Sequence, residues 1–429
     1  MRAAFWLLAL FAVAAASALL AGNNQAVVTI FWPPHRFDLS FNLTVLLLTG
    51  LFMLLYVALR AISAVFSLPA EARRWRAQQK ERAMYGALMD ALAHQMAGRY
   101  IRATKSAQNA LDQEKSLALI TDPAAPATGH NTSRANQLQS LAHLLAAESA
   151  QSLQNKALRD QHLQLALQSS AERSAQEVRE GVQFRAARWA LDDHDPDATL
   201  DWLTQLPLGA ARRTLALRMK LRATRQLRQT AQALETARLL AKHRAFSPAA
   251  AQSIVRGLAL ELLNDVHDPA QLERAWLSLD DSERAMPELV VHAASRVMAL
   301  HGDVELARRW LLQIWDKAMQ PRSDISDSLR IKLIAVLEAG LASLDAAWLG
   351  RIEAAQLGRP RDANLQYLAG MACLNRQLWG KARQLLSQAA LGLQDAVLHR
   401  NAWRALAVLA EQREDAEAAA HAYKQSAQL

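Results

Sequence analysis

The chain has 429 residues, with 49 Lys and Arg against 40 Asp and Glu, a formal net charge of +9 and one cysteine. A single cysteine excludes an intramolecular disulfide and a thiolate zinc cage. The basic balance favours acidic partners: anionic lipid, nucleic acid or carboxylated small molecules. Ala, Leu, Arg, Gln and Glu are abundant while Gly and Tyr number only 15 and 5, which is a helical composition.

Two apolar stretches open the chain. Residues 3–21 carry no charge and one hydroxyl, Ser17; residues 43–59 carry no charge, and their apolar character resumes past Arg60 to Phe66. A hydrocarbon core of about 30 Å needs roughly 20 helical residues, so both qualify as spans, at about 3–21 and 41–66 of a transmembrane hairpin over residues 1–66. The connection, residues 22–40, holds only Arg36, Asp38 and His35. Its Pro33-Pro34 pair excludes helix there, and Phe31-Trp32, like Trp6, suits an interfacial aromatic belt. Arg73, Arg74, Arg76, Lys80 and Arg82 follow the second span, so the positive-inside bias places both termini and the body in the cytoplasm. The alternative is a cleaved signal peptide ending near residues 16–18, with the body in the periplasm. A single basic residue, Arg2, before the apolar run and a collar on the wrong side oppose it. Residues 67–82 are expected to form a basic juxtamembrane helix near the lipid surface, each basic residue adding about 1 kcal/mol of attraction to anionic lipid.

Residues 83–429 read as a tetratricopeptide-like α-solenoid. Ala97 to Ala103, with Gly98 and Tyr100, then Ala107 and Ala110, begin the pattern. Residues 122–136 are the longest non-helical stretch. Later come Gly302 to Ala307 with Leu311; Gly370, Trp379, Ala382, Leu386 and Ala389; and Trp403, Leu406, Ala407, Ala419 and Tyr423. Small residues are needed where two helices cross closely, because a Leu there pushes the axes apart. Ala231, Ala307, Ala382 and Ala419 serve as packing alanines 76, 75 and 37 residues apart, a step slightly longer than the tetratricopeptide period. Roughly eight to ten units are expected. An irregular helical bundle with Ala-rich contacts is the alternative.

No catalytic constellation is visible. The chain lacks a Gly-rich loop after a strand, His-Glu-x-x-His and Cys-x-x-Cys. No two of the twelve histidines are four apart; His292 and His301 are expected on one helix, as an incidental pair. Cys373 reads as a buried packing residue, and the tryptophans as packing anchors. Between Trp202 and Leu234 there is no acidic residue, while Arg218, Arg222 and Arg225 share one helix face. On a concave face they would form an anion-binding stripe for an acidic protein segment or tetrapyrrole propionates; on a convex face they are simply solvated. The run lacks interleaved aromatics, which argues against nucleic acid.

The segments Leu144-Leu145-Ala146-Ala147-Glu148-Ser149-Ala150-Gln151 and Asp160-Gln161-His162-Leu163, with the Leu92 to Ala103 block, resemble the HemY family of proteobacterial inner-membrane tetratricopeptide proteins. The resemblance implies a multi-pass inner-membrane protein linked to late haem biosynthesis. A flavin-dependent protoporphyrinogen oxidase shares the family's name, but its Gly-rich flavin fingerprint is missing from this sequence. The expected role is a non-enzymatic scaffold holding haem-pathway enzymes, or a porphyrin, with no cofactor of its own. The alternatives are a general envelope assembly or quality-control adaptor, and a haem or porphyrin carrier or enzyme.

Overall fold

The computed structural model of the chain describes residues 25–120, 129–172, 175–320 and 325–428, with Phe11, Val13, Ala14, Ala18 and Gly22. The first predicted span, residues 3–21, therefore lies almost wholly outside the described residues.

The connection before the second span is not a loop. Alternating side chains in β1 (Val27–Trp32) and β2 (His35–Ser40) build an antiparallel hairpin that turns at Pro33-Pro34. Ser40 then caps α1 (Phe41–Met96), its hydroxyl accepting from the Leu43 amide at 3.4 Å. Phe41–Ser63 is long and apolar enough to cross a membrane, and none of it is buried within the protein. It is the one such helix among the described residues.

α1 runs on unbroken for 56 residues, roughly 84 Å at the helical rise. Residues 67–82 are the middle of this rod, a direct continuation of the apolar segment. The basic collar continues the axis of the apolar segment, because helical backbone hydrogen bonding runs on from one to the other.

Two compact units follow from the packing, Met1–Arg179 and Glu180–Leu429. In the first, the end of α1 pairs with α2 (Tyr100–Ile120), and α3 (Gly129–Ser152) with α4 (Lys156–Ser169). α3 begins at Gly129, so the non-helical stretch predicted to reach residue 136 ends earlier; residues 121–128 lie outside the described residues. Close crossing rests on fully buried alanines, among them Ala91, Ala103, Ala107, Ala142 and Ala147.

The second unit repeats the same motif. Its pairs are α5 (Gln176–Asp192) with α6 (Pro196–Thr204) and the short α7 (Leu208–Ala211); α8 (Thr214–Gln226) with α9 (Thr230–Lys242); and α10 (Pro248–Asn264) with α11 (Pro269–Leu277) and α12 (Asp281–Arg284). α13 (Pro287–Ala299) with α14 (Val304–Ala318), α15 (Asp327–Ala339) with α16 (Ala346–Gly358), α17 (Ala363–Asn375) with α18 (Trp379–Gly392), and α19 (Ala396–Glu411) with α20 (Ala416–Gln428) complete it. Nine pairs are present among the described residues, within the expected range.

The turn inside each pair is nearly invariant. Gly98, Gln154, His194, Arg228, His301, Gln377 and Glu414 all adopt positive φ just past the first helix. The next amide reaches back to close that helix, as in Asn155 N to Ala150 O at 2.9 Å and Leu378 N to Cys373 O at 2.9 Å. The same residue often caps the second helix, as Asn155, Asp195 and Asp415 do. This places His301 in a turn, separate from His292 on α13.

Four residues beyond that cap sits the packing alanine: Ala103, Ala233, Ala307 and Ala382 are fully buried, and Ala419 nearly so. Ala231, predicted for this role, is exposed on the far side of α9. A continuous core from Leu217 to Leu409 includes the stacked Trp276 and Trp310 (4.7 Å between rings) and the edge-on Trp315 and Trp348 (5.6 Å). Cys373 is buried in the same core, whereas Trp379 is an exposed exception among the predicted anchors.

Candidate binding face of the second unit

The first helices of successive pairs touch one another along a polar edge. Apolar positions of each helix are taken up by its own partner, leaving one side for charged and amide groups. Arg256 of α10 pairs with Glu288 of α13 at 3.0 Å, and His292 Nε2 of α13 meets Asn264 Oδ1 of α10 at 2.8 Å. Further along, the Tyr367 hydroxyl of α17 donates to Glu338 of α15 at 2.5 Å, and the Asn401 amide of α19 donates to the same oxygen at 3.2 Å.

Between α10, α13 and α15 this edge opens into a groove of about 630 Å³. Its polar rim is Arg256, Glu288, His292, Ser328 and Lys332, and its apolar floor includes Leu260, Val291, Leu329 and Val336. Burial, and then the nearby charges of Arg296 and Lys332, lower the His292 pKa and keep its ring neutral. Burial raises the Glu338 carboxyl against the opposing effect of its two donors, and burial with Glu338 alongside pushes up the Tyr367 phenol. The groove therefore presents two cations, one paired carboxylate and a neutral imidazole beside apolar surface. Among the described residues no group of three or more His, Cys, Asp or Glu could hold a metal ion.

The predicted stripe lies elsewhere and is divided. Arg218 donates to the Ala245 carbonyl at 2.8 Å and covers the Phe246 ring at 5.6 Å, closing the loop after α9. Arg225 leans toward Glu261 of α10 at 3.9 Å. Arg222 is exposed and makes no hydrogen bond or ion pair among the described residues. None of the three lines the groove. In the collar, Arg73, Arg74, Arg76 and Arg82 are exposed and Lys80 is half-buried, with Trp75 exposed among them.

Sequence reasoning missed the groove and one further pair. Arg256 and Lys332 lie 76 residues apart in sequence, and only the register of three helix pairs brings them together. In the first unit, His143 of α3 and His162 of α4 face each other with their Nδ1 atoms 3.0 Å apart. Burial lowers both, and with the added charges of His162 and Lys115 the His143 pKa falls to about 4.

None of the curated proteins matches the chain. Among solved structures, a chain of "Structure of Naa15/Naa10 bound to HypK-THB" aligns over 81% of this chain and 64% of its own length, at 11% identity and a TM-score of 0.24. An overlay at that score does not establish a shared fold. Residues 27–132, from β1 through the collar to the start of α3, match the family model described as HemY protein N-terminus.

Proposed function

We propose that this protein is a non-catalytic scaffold of the bacterial inner membrane acting in late haem biosynthesis. In this reading Phe41–Ser63 and residues 3–21 form the membrane hairpin, the collar lies on the cytoplasmic side against anionic lipid, and the helix pairs form a cytoplasmic tetratricopeptide-like solenoid. The groove between α10, α13 and α15 holds an acidic or amphipathic segment of a late-pathway enzyme. The observation that carries the reading is this groove, basic at the rim and apolar on the floor, on a chain that also carries a membrane-length helix and a HemY N-terminus. Tetrapyrroles partition readily into lipid, so holding successive enzymes near one membrane site shortens transfer and limits loss.

The test pairs two measurements. A photo-crosslinker at Leu260 or Leu329 in the full-length membrane protein should capture a late haem-pathway enzyme, and Lys332→Glu should reduce capture about tenfold, the effect of about 1.4 kcal/mol. A deletion strain should accumulate porphyrin intermediates. Normal porphyrin levels, with groove crosslinks only to envelope-assembly factors, would replace this reading with the general adaptor. A direct porphyrin titration that shifts the Soret band and competes with the crosslink would replace it with a carrier.

A further inference from the structure

The hairpin before α1 has two unlike faces. Its register pairs Val28 with Leu39, Ile30 with Phe37 and Trp32 with His35 on one side, and Val27 with Ser40, Thr29 with Asp38 and Phe31 with Arg36 on the other. Side chains alternate across a strand, so the first set is an almost wholly apolar face. The second face satisfies itself. The Thr29 hydroxyl donates to Asp38 at 2.7 Å, Arg36 donates to the same carboxylate at 3.2 Å, and the Arg36 guanidinium covers the Phe31 ring at 5.4 Å. Phe31 and Trp32, neighbours in sequence, thus serve opposite faces.

Among the described residues nothing covers the outer part of the apolar face: Ile30 is 45% exposed, Phe37 54% and Trp32 73%, while Val28 and Leu39 nearer the base are half-buried. A lone two-stranded hairpin is marginal in water and needs an apolar support. Chain connectivity says where that support lies. Ser40 ends β2 and caps α1, Phe41 is the first residue of the membrane-length segment, and the Phe41 amide donates to the Ala26 carbonyl at 2.9 Å, tying the base of β1 to the same point. Among the described residues the sheet has only these two strands, so both outer edges leave backbone groups unpaired, which disfavours the hydrocarbon core. It therefore stands at the water–hydrocarbon boundary, where Trp and other amphipathic side chains are favoured.

We infer that β1 and β2 form an interfacial membrane anchor. Val28, Ile30, Trp32, Phe37 and Leu39 rest in the headgroup–acyl boundary, and Thr29, Arg36 and Asp38 face water. The inference rests on the reading that Phe41–Ser63 spans the membrane. In the chain's proposed orientation the lipid is the periplasmic leaflet. The hairpin would stop the span from sliding along its axis, and so set the depth at which the collar emerges on the other side.

The test uses the full chain in lipid vesicles, with buried Cys373 changed to Ala and single spin labels at Ile30→Cys, Phe37→Cys, Thr29→Cys, Asp38→Cys and, within the span, Leu54→Cys. Collision with oxygen reports lipid, and collision with a water-soluble nickel chelate reports water. The oxygen-to-nickel ratio should be several-fold higher at 30 and 37 than at 29 and 38. The unlabelled protein supplies a second reading: the part of the tryptophan emission lost in Trp32→Phe should be quenched by lipids brominated near the headgroup. Equal ratios on both faces with a lipid-like ratio at 54, or labels at 30 and 37 shielded from both reagents by protein, overturn the inference alone. A water-like ratio at 54 overturns the spanning reading, and the inference with it.

Discussion

Gly370 of α17 lies so close to Leu386 of α18 that a β-carbon on the glycine would sit 2.8 Å from the leucine Cγ. The glycine's φ is ordinary, so the constraint is space alone. Gly370→Ala should destabilise the protein by about 1–3 kcal/mol, the cost of overpacking a close crossing. Leu386→Ala in the same chain should recover part of that loss, and a double-mutant cycle in urea would measure the coupling.

Gln377 occupies the left-handed turn between the same two helices, with φ of 60°. A side chain in that conformation costs about 1 kcal/mol relative to glycine. Gln377→Gly should therefore raise stability by about 0.5–1 kcal/mol, although glycine is usually destabilising. Gly98, at the equivalent turn with φ of 70° and open space around it, should show the reverse when changed to Ala. Thermal melts of the two variants would check the opposed signs.

The His143 and His162 pair should make the first unit sensitive to acid. Both pKa values lie below the unfolded value, His143 at about 4. Between pH 6.5 and about 4 the unfolded chain binds more protons than the folded one, so stability is present above this window and lost as pH falls through it. Protection factors for hydrogen exchange along α3, taken relative to the intrinsic rate at each pH, should fall on going from pH 7 to pH 5. His143→Gln should flatten that dependence, and an unchanged pH response would exclude the pair as its source.

The divided stripe separates structure from binding. Arg218→Ala loses a hydrogen bond to Ala245 and the contact over Phe246, and should cost about 1 kcal/mol. Arg222→Ala touches nothing comparable and should stay within about 0.5 kcal/mol of the parent. Urea midpoints decide the first comparison. A loss of partner capture in Arg222→Ala at unchanged stability would show that the exposed arginine serves recognition.

The membrane-length segment and the helical body were legible because they rest on local properties: apolar length, composition and recurring small residues. Even the errors were local. Ala231 and Ala233 stand two apart in an Ala-rich helix, and only the turn at Arg228 and Gln229 fixes which one faces inward. The hairpin at residues 27–40 hid behind its two prolines, which exclude helix without excluding strand.

Sequence alone determined that the body of this chain is helical and that it carries a stretch able to cross a membrane, because each of these is written within a window of about one element. Tertiary structure alone decided that His143 meets His162, and that Arg256, Glu288 and Lys332 share a groove while Arg218 and Arg225 turn to other partners. Those facts depend on register between elements far apart in the chain. A shift of one residue in a strand, or two in a helix, turns a side chain from one face to the other.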